Sequence, residues 1–215
     1  MIDLYSWITP NGFKISIMLE ELGIPFECHS IDITKGEQFS GAYNRISPTN
    51  KIPAIFDRES GTTVIESSAI LLYLADKYRR FIPAEGKARL EVIEWLMWQT
   101  GSLGPTLGHA HNFLTYNEGR APYAEDIFRN DVKRLYETLD ARLKDREFIA
   151  GDYTIADIAI WPWISRCERH KTDLNTYPNV HRWYLAIAAR PAVQRGYRLP
   201  HFTGEIPLPE VTHIP

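Results

Sequence analysis

Strand-like patterns are confined to the first third of this 215-residue chain. Short runs that alternate apolar and polar residues, or that are rich in β-branched residues, end near Ile65. From about residue 86 onward the apolar residues recur every three or four positions instead. The first pattern is typical of strands and the second of amphipathic helices. The sequence therefore predicts a small α/β domain followed by an all-α domain.

The first part is predicted to form one small mixed sheet covered by helices. A strand over Ile2–Tyr5 precedes a helix with an apolar stripe over Ile15–Leu22, and Pro10 and Gly12 are interpreted as breakers before that helix. A strand over Phe26–Ile33 then completes a parallel βαβ unit. After a loop with room for a short helix, the remaining predicted elements are hairpin strands over Pro53–Asp57 and Thr62–Ile65 and a helix over Ser67–Tyr78.

The second part is predicted to be helical throughout. Its longest stripe of apolar residues at helical spacing is formed by Phe128, Val132, Leu135, Leu139 and Leu143. Thr154 and Asp157 have the spacing of a capping box, in which a hydroxyl and a carboxylate each bind a free backbone N–H at a helix start. We place the domains at residues 1–82 and 87–199, with a linker at 83–86 and a proline-rich extended tail at 200–215.

Composition excludes several classes of protein. Apolar residues make up 44% of the chain and charged residues 24%, as in ordinary globular proteins, and a net charge of −3 leaves no basic surface for nucleic acid. The longest apolar run, Ala69–Ala75, is far shorter than the ~18 residues that span a bilayer, and no leader-like segment is expected at the start. These features predict a soluble cytoplasmic protein whose partners are neither membranes nor nucleic acids.

Neither a disulfide framework nor a metal site is expected. Cys28 and Cys167 are the only cysteines and lie far apart in the sequence, so we interpret them as small buried apolar side chains. His109 and His111 resemble a metal-binding pair, but no third and fourth ligands follow at a suitable spacing. Any thiol chemistry would therefore need a thiol from another molecule.

Three motifs together resemble the glutathione transferase superfamily. They are Asn50–Ile55, Glu66–Ile70 and Gly151–Asp157, which occur in the family's order and spacing. Shorter segments resemble the bacterial Nu class more narrowly: Thr9–Gly12, Arg45–Pro48, Trp95–Gln99 and Tyr123–Ala124. The resemblance covers essentially residues 1–200 and implies a thioredoxin-like N-terminal domain, an all-α C-terminal domain and a homodimer.

The resemblance also implies a glutathione-binding site in the first domain. A cis bond before Pro53 would turn the backbone N–H and C=O of Ile52 towards the cysteinyl part of glutathione. Ser67, at a helix start, would bind the γ-glutamyl carboxylate while Glu66 binds the ammonium group. Two further side chains are candidates for the glycyl end: Gln38 and Lys51. Each feature alone also fits a simpler interpretation, namely a trans proline at a strand edge, a common helix cap or a solvated lysine.

Thr9 and Asn11 match the positions of the Nu-class functional pair, in the loop after the first strand. Neither side chain ionises, but a hydroxyl and an amide N–H can donate to the thiolate of glutathione. Tyr5 and Ser6 compete for this role, because many transferases use a tyrosine or a serine near the end of the first strand. We expect Tyr5 to be packed, whereas Ser6 stays open as an alternative.

Stabilising the thiolate does not by itself give a large rate. If the donors lower the pKa of the thiol from ~8.5 to ~6.5, the ionised fraction at pH 7 rises roughly 25-fold, yet the loss of nucleophilicity reduces the net gain to ~3-fold. Positioning must supply the rest. The site is therefore predicted to hold a second sulfur in line with the first, as two glutathiones or one glutathione disulfide would provide.

One position departs from the Nu-class pattern. Ile127 occurs where Nu-class relatives tend to carry an arginine, three residues after a Pro-Tyr-Ala segment, and this puts the contact with a second glutathione in doubt. Arg129 and Arg134 are alternatives for that contact, although both also fit simple surface charges.

The leading hypothesis is an enzyme that reduces disulfide bonds with the thiolate of bound glutathione. Glutathione, reduced or oxidised, is the expected cosubstrate, and no metal is expected. Two alternatives stay open: conjugation of electrophilic small molecules to glutathione, and a non-catalytic module of this fold that binds a protein partner.

Overall fold

The computed structural model describes residues 1–209, and its strands all lie in the first part of the chain. That part contains β1 (Ile2–Ser6), α1 (Pro10–Leu22), β2 (Phe26–Ser30), α2 (Gly41–Asn44), β3 (Ala54–Asp57), β4 (Thr62–Ile65) and α3 (Ser67–Tyr78). The following part contains α4 (Gly86–Trp98), α5 (Gly104–His111), α6 (Pro122–Leu143), α7 (Ile155–Ile164), α8 (Pro178–Ala188) and α9 (Pro191–Gly196). No helix within residues 1–209 is both long and apolar enough to cross a membrane.

The four strands form one mixed sheet in the order β2-β1-β3-β4. β1 pairs with β2 in parallel, and β1 with β3 and β3 with β4 are antiparallel. The parallel pair is joined through α1, and the hairpin of β3 and β4 leads directly into α3. This arrangement confirms the predicted thioredoxin-like fold of the first part, and the helices that follow confirm the predicted all-α part.

The chain divides into two compact units. The first unit consists of Met1–Gly86 together with Ala189–Glu205, and the second of Lys87–Ala188 together with the described residues from Ile206. The first unit thus includes α9, a helix that the sequence pattern did not predict. The bounds 1–82 and 87–199 stay a prediction.

In the first unit, α1 packs against both α3 and α9. Gly196 of α9 approaches α1 so closely that a Cβ there would lie 2.7 Å from the backbone of Ile17. Ser16 Oγ donates to the carbonyl oxygen of Gly196 at 2.7 Å, so this close packing also satisfies a buried hydroxyl. Only glycine at position 196 leaves room for this contact.

The start of α7 in the second unit confirms the predicted capping box. Thr154 Oγ1 accepts from the N–H of Ala156, and the buried carboxylate of Asp157 accepts from the N–H of Thr154 at 2.9 Å. Asp157 also accepts from Ile149 N and from Trp183 Nε1, at 3.0 and 2.9 Å. All residues of α7 are buried, so the capping box fixes the start of a helix in the core.

Two expectations about the elements of the chain need correction, and the predicted tail is described only in part. Pro10 and Gly12 do not precede the first helix but belong to its first turn, where proline is tolerated because its missing N–H has no helical partner. β2 ends at Ser30 and is shorter than the predicted Phe26–Ile33. Within the predicted tail, residues 201–209 form neither helix nor strand, and residues 210–215 lie outside the described part of the chain.

Candidate active site

Several chain segments meet at one edge of the sheet. Because Tyr5 pairs with Ala54 and Ala54 pairs with Ile65, the loop after β1, the segment before β3 and the start of α3 lie side by side. β2 runs parallel to β1 and ends at the same edge. The strand register therefore collects six of the predicted site residues at this edge: Thr9, Asn11, Lys51, Ile52, Glu66 and Ser67.

Thr9 and Asn11 lie at the start of α1. Thr9 is the N-cap residue, and its Oγ1 accepts from the N–H of Gly12 at 3.1 Å, which leaves the hydroxyl hydrogen as a donor. Asn11 is half-buried, and within residues 1–209 its side-chain amide has no hydrogen-bond partner. A hydroxyl donor, an amide donor and the positive end of a helix are thus available to an anion at this point.

Tyr5 and Ser6, the competing candidates, are held within the protein. The ring of Tyr5 stacks on His29 with centroids 4.7 Å apart, and burial raises the pKa of its hydroxyl. Ser6 is 2% exposed, and a Cβ on Gly12 would lie 2.5 Å from its Oγ and 2.2 Å from the carbonyl oxygen of Trp7. Ser6 is therefore covered by the first turn of α1, which favours Thr9 and Asn11 as the ligand-facing pair.

The segment before β3 offers an unpaired backbone. The peptide bond between Ile52 and Pro53 is cis, as the motif predicted. Within the described residues the N–H and C=O of Ile52 have no hydrogen-bond partner. The carbonyl oxygen of Lys51 accepts from Tyr43 Oη at 2.7 Å and from Ser47 Oγ at 2.8 Å, whereas the Lys51 side chain is exposed. The backbone before Ile52 is therefore fixed while Ile52 itself can pair with an extended ligand.

Glu66 and Ser67 form the start of α3. Glu66 is exposed and has φ +67°, a left-handed conformation that is costly for a residue with a side chain. Its side chain makes no capping hydrogen bond to the helix. Ser67 is the first helical residue and is half-buried. Glu66 thus has a strained backbone, and its carboxylate does not cap α3. Both features are expected where a ligand completes the site.

Lys14 is a site residue that sequence reasoning missed. Its Nζ donates to Ser67 Oγ at 3.1 Å, although the residue is only 2% exposed. Burial lowers the pKa of Lys14 to about 7, and the charge of Glu66 opposes this shift. The sequence contained a signal for this residue, namely a lysine on the apolar face of a predicted helix. Lys14 lies one helical turn before Met18 and two before Leu22.

Gln38 lies in a short 3-10 helix, Glu37–Phe39, which follows β2. Its side chain is half-buried, and within the described residues its buried Oε1 has no hydrogen-bond partner. An unsatisfied buried amide oxygen is uncommon in folded proteins and fits a group that binds a ligand.

The two cysteines are partly exposed, so their interpretation as buried side chains was wrong. Burial of the sulfur nevertheless raises the pKa of both Cys28 and Cys167 to about 11. Both thiols are therefore protonated at neutral pH and are poor nucleophiles, so the requirement for an external thiol stands.

His109 and His111 point to different partners. His111 Nε2 lies 2.8 Å from Nε2 of His170 in the interior of the second unit, whereas His109 stacks on Phe128. They do not form a pair of metal ligands.

Among residues 1–209, one group of side chains has the composition of a metal site: Asp3, Glu27 and His29. Arg58 Nη2 donates to Asp3 at 2.5 Å and to Glu27 at 2.6 Å, and His29 Nε2 lies 2.9 Å from Asp3. Two cationic or donor groups already satisfy these carboxylates, so the cluster is explained by pairing within the protein.

The residues near the missing arginine are exposed on α6. Ile127 is 41% exposed. The guanidinium of Arg129 lies 3.8 Å from both Glu118 and Glu125, and that of Arg134 lies 3.0 Å from Asp131. Both arginines thus have carboxylate partners on their own unit.

Comparison with known proteins shows that the chain belongs to the glutathione S-transferase family. Residues 9–77 match the N-terminal domain of glutathione S-transferase, and residues 101–191 match its C-terminal domain. A curated relative, the disulfide-bond oxidoreductase YfcG of Escherichia coli K12, is 43% identical over 198 residues, which cover 89% of this chain and 92% of the relative. Membership of the family confirms the resemblance drawn from the three motifs.

Two similar solved structures contain glutathione. A glutathione transferase from Pseudomonas putida, with one glutathione disulfide bound per subunit, is 38% identical with a TM-score of 0.87, and the match covers 93% of this chain and 91% of the other. A glutathione transferase from Burkholderia graminis, with two glutathione molecules bound per subunit, is 40% identical with a TM-score of 0.85, over 93% and 88% of the two chains.

Proposed function

We propose that this protein is an enzyme that reduces disulfide bonds with glutathione. The observation that carries the proposal is the convergence of neutral donors, an unpaired backbone and a helix start at one edge of the sheet. The curated relative YfcG is named a disulfide-bond oxidoreductase, and its similarity covers nearly the whole chain.

Each part of the site has a distinct role in the proposal. Thr9 and Asn11 donate hydrogen bonds to the thiolate of glutathione, and the backbone of Ile52 pairs with its cysteinyl residue. Ser67 at the start of α3 binds the γ-glutamyl carboxylate, while Glu66 binds the ammonium group. Two further side chains contact the glycyl end: Gln38 and Lys51.

The reaction exchanges one disulfide for another. The thiolate of bound glutathione attacks one sulfur of the substrate disulfide, so that a new S–S bond forms, the old one breaks and the leaving thiolate takes up a proton. A second glutathione thiolate then attacks the glutathione sulfur of this mixed disulfide and releases the other half of the substrate. Two glutathione thiols are oxidised to one glutathione disulfide, and one substrate disulfide is reduced to two thiols.

A direct assay tests this function. Purified protein is mixed with glutathione and 2-hydroxyethyl disulfide, and formation of glutathione disulfide is followed. We expect turnover well above the buffer rate, because the site holds the two sulfurs in line. A rate equal to that of buffer would remove the proposal.

The same preparation separates the alternatives. Turnover of chlorodinitrobenzene far above that of the disulfide would instead assign conjugation of electrophiles. Failure of the protein to bind immobilised glutathione, together with no turnover of either substrate, would favour a non-catalytic module.

The proposal includes a cytoplasmic homodimer. A reducing cytoplasm would supply glutathione, and the two free cysteines do not require an oxidising compartment. Leu90 and Met97, two turns apart on α4, are 55% and 45% exposed and provide apolar surface for a second copy. Light scattering of the protein as it elutes from a size-exclusion column should give a mass of twice 24.8 kDa. A monomer at micromolar concentration would contradict this part of the proposal.

A further inference from the structure

Two buried hydroxyl groups hold the carbonyl oxygen of Lys51. Tyr43 Oη donates to it at 2.7 Å, and Ser47 Oγ donates to it at 2.8 Å. Tyr43 is 2% exposed and Ser47 is fully buried. A carbonyl oxygen has two lone pairs, so both acceptor positions of Lys51 are used. This peptide group therefore cannot turn without breaking two buried hydrogen bonds.

The same peptide group carries the N–H of Ile52. The bond between Lys51 and Ile52 is trans, since the cis bonds of the described residues are those before Pro53 and Pro200. A trans peptide group is planar, and its C=O and N–H point in opposite directions. The hydroxyls that fix the Lys51 oxygen thus also fix the direction of the Ile52 N–H, which has no hydrogen-bond partner within the described residues.

The hydroxyl of Tyr43 also affects the strength of this donor. A hydrogen bond accepted by a C=O polarises its peptide group and makes the N–H a stronger donor. Burial raises the pKa of Tyr43 to about 12, so its hydroxyl keeps its proton and donates throughout the neutral pH range. The free N–H of Ile52 is therefore both oriented and strengthened from the opposite side of its own peptide group.

The side chain of Tyr43 is itself held in place. Tyr43 lies in α2, whose N-cap residue Ser40 accepts from the N–H of Tyr43 at 3.2 Å. The carbonyl oxygen of Tyr43 accepts from the N–H groups of Ile46 and Ser47, each at 2.8 Å. The ring of Tyr43 is tilted against that of Tyr5, with centroids 6.3 Å apart. The hydroxyl is thus ordered before a ligand binds, which lowers the entropy cost of binding.

We propose that Tyr43 is a positioning residue for glutathione: together with Ser47, its hydroxyl directs the Ile52 N–H at the cysteinyl carbonyl of the ligand. Tyr43 acts through the peptide group between Lys51 and Ile52 and does not touch the ligand. The inference rests on the proposed function, since it concerns the same site. The hydrogen bond that Tyr43 controls forms with glutathione before and during the reaction alike, so Tyr43 should govern affinity and not kcat.

Replacement of Tyr43 by phenylalanine tests this role, because Tyr43→Phe removes the hydroxyl and keeps the ring. The probe is S-methylglutathione, which keeps the peptide part of glutathione but cannot exchange disulfides. Its dissociation constant, measured by calorimetry, should rise about fivefold, as expected for the loss of one hydrogen bond. KM for glutathione should rise by a similar factor while kcat changes less than about twofold. An unchanged dissociation constant would overturn the proposal.

Tyr73→Phe is the matched control in the same unit. Tyr73 Oη also donates a hydrogen bond, to Asp57 Oδ2 at 2.6 Å, but at the other end of β3. Its loss should lower the free energy of unfolding, measured with urea, and leave the dissociation constant unchanged. If Tyr43→Phe likewise lost only stability, its hydroxyl would be merely structural. An equal rise of the dissociation constant in both variants would also contradict the proposal, because it would reflect a general disturbance of the unit.

The amide of Ile52 reports the positioning directly. Its N–H is free within the described chain, so saturating S-methylglutathione should slow its exchange with water, as measured by NMR. The slowing should be smaller in Tyr43→Phe than in the wild type and unchanged in Tyr73→Phe. Equal slowing in all three proteins would exclude an action of Tyr43 through this peptide group.

The outcomes distinguish the role of Tyr43 from the proposed function. If wild type and Tyr43→Phe bind the probe equally well, the role of Tyr43 is wrong while glutathione binding stands. If the wild type binds the probe without slower exchange at Ile52, the role is also wrong. If the wild type does not bind the probe at all, both proposals fail. Should Tyr43→Phe not fold, Ser47→Ala removes the other donor to the same carbonyl and is expected to change the dissociation constant in the same direction.

Discussion

Thr9 and Asn11 present uncharged donors, and this choice of residue has a chemical consequence. The Thr9 oxygen accepts from the N–H of Gly12, and its hydroxyl hydrogen is left to donate to a further group. The Asn11 amide has no partner within the described chain. Both groups can stabilise a negative sulfur without a proton transfer, and neither adds a titration to the activity.

Replacement of Asn11 tests the role in the chemical step. Asn11→Ala should lower kcat about tenfold or more and change KM for glutathione little, because a donor to the thiolate acts mainly on the charged sulfur. Steady-state kinetics with 2-hydroxyethyl disulfide measure both parameters. Asn117→Ala is the control, since Asn117 is an asparagine on the second unit whose side chain bonds to its neighbour Asn112. An unchanged kcat would exclude Asn11 from the chemistry.

Replacement of Ser67 should change KM for glutathione and leave kcat largely unchanged, the opposite of the effect expected for Asn11. Ser67→Ala removes the hydroxyl that would bind the γ-glutamyl carboxylate, so KM for glutathione should rise about tenfold while kcat is largely kept. The same kinetic series gives the answer. Equal losses in kcat and KM for both the Asn11 and the Ser67 variant would contradict the proposed division of roles.

At the scale of elements, the start of α1 depends on one close approach. A methyl group at Gly12 would lie 2.2 Å from the carbonyl oxygen of Trp7, which belongs to the backbone and cannot rotate away. Gly12→Ala should therefore displace the loop that carries Thr9 and lower the free energy of unfolding by about 1–3 kcal/mol. Urea unfolding measures the loss, and Gly41→Ala, where a Cβ would have no neighbour within 4 Å, is the control. Equal stability of the two variants would show that the loop can adjust.

The start of α7 gives a second test at this scale. Thr154→Ala removes the cap and should cost about 0.5–2 kcal/mol. Asp157→Ala should cost more, about 3 kcal/mol, because it leaves the N–H groups of Ile149 and Thr154 and the indole of Trp183 without their acceptor. Urea unfolding of both variants measures which substitution lowers the free energy of unfolding more. A smaller loss for Asp157→Ala would mean that these donors find water instead.

At the scale of the whole molecule, a buried chain of polar side chains links stability to pH. Tyr136 Oη, His170 and His111 are joined by two hydrogen bonds of 2.8 Å in the interior of the second unit. Burial lowers the pKa of His111 to about 4 and that of His170 far below its usual value. The folded protein thus binds protons at these rings less readily than the unfolded chain does.

A fall in pH from about 7 should therefore destabilise the folded protein through these two histidines. The contribution of the histidines is fully present above about pH 6.5 and is lost as the pH falls towards about 4, by on the order of 1–3 kcal/mol. Asp157 acts in the opposite direction, because burial raises its pKa to about 6 and its contribution falls as the pH rises to that value. Urea unfolding at about pH 7.5 and 5 measures the balance for wild type and His111→Phe. Between these two pH values we expect the free energy of unfolding to fall less in His111→Phe than in the wild type. An equal fall in both proteins would show that His111 is not the cause.

Much of the fold was predictable because it is encoded locally. Helix α3 has the predicted bounds Ser67–Tyr78, and the hairpin strands differ from prediction by one residue at Pro53. Apolar spacing, turn residues and caps act within a few positions of each other, so a single sequence reveals them. α9 was missed because its six residues are too short for a helical stripe to stand out.

The sequence by itself determined the order of the strands and of the longer helices, the family and the motifs that carry the proposed glutathione site, since these depend on residue types at short spacing. Only the tertiary structure decided which of these residues meet. The strand register brought Asn11, Ile52 and Ser67 to one edge, and packing of α1 against α3 placed Lys14 beside Ser67. Burial depends on contacts between residues far apart in the chain, so the lowered pKa of Lys14 could not be obtained from its neighbours in the sequence.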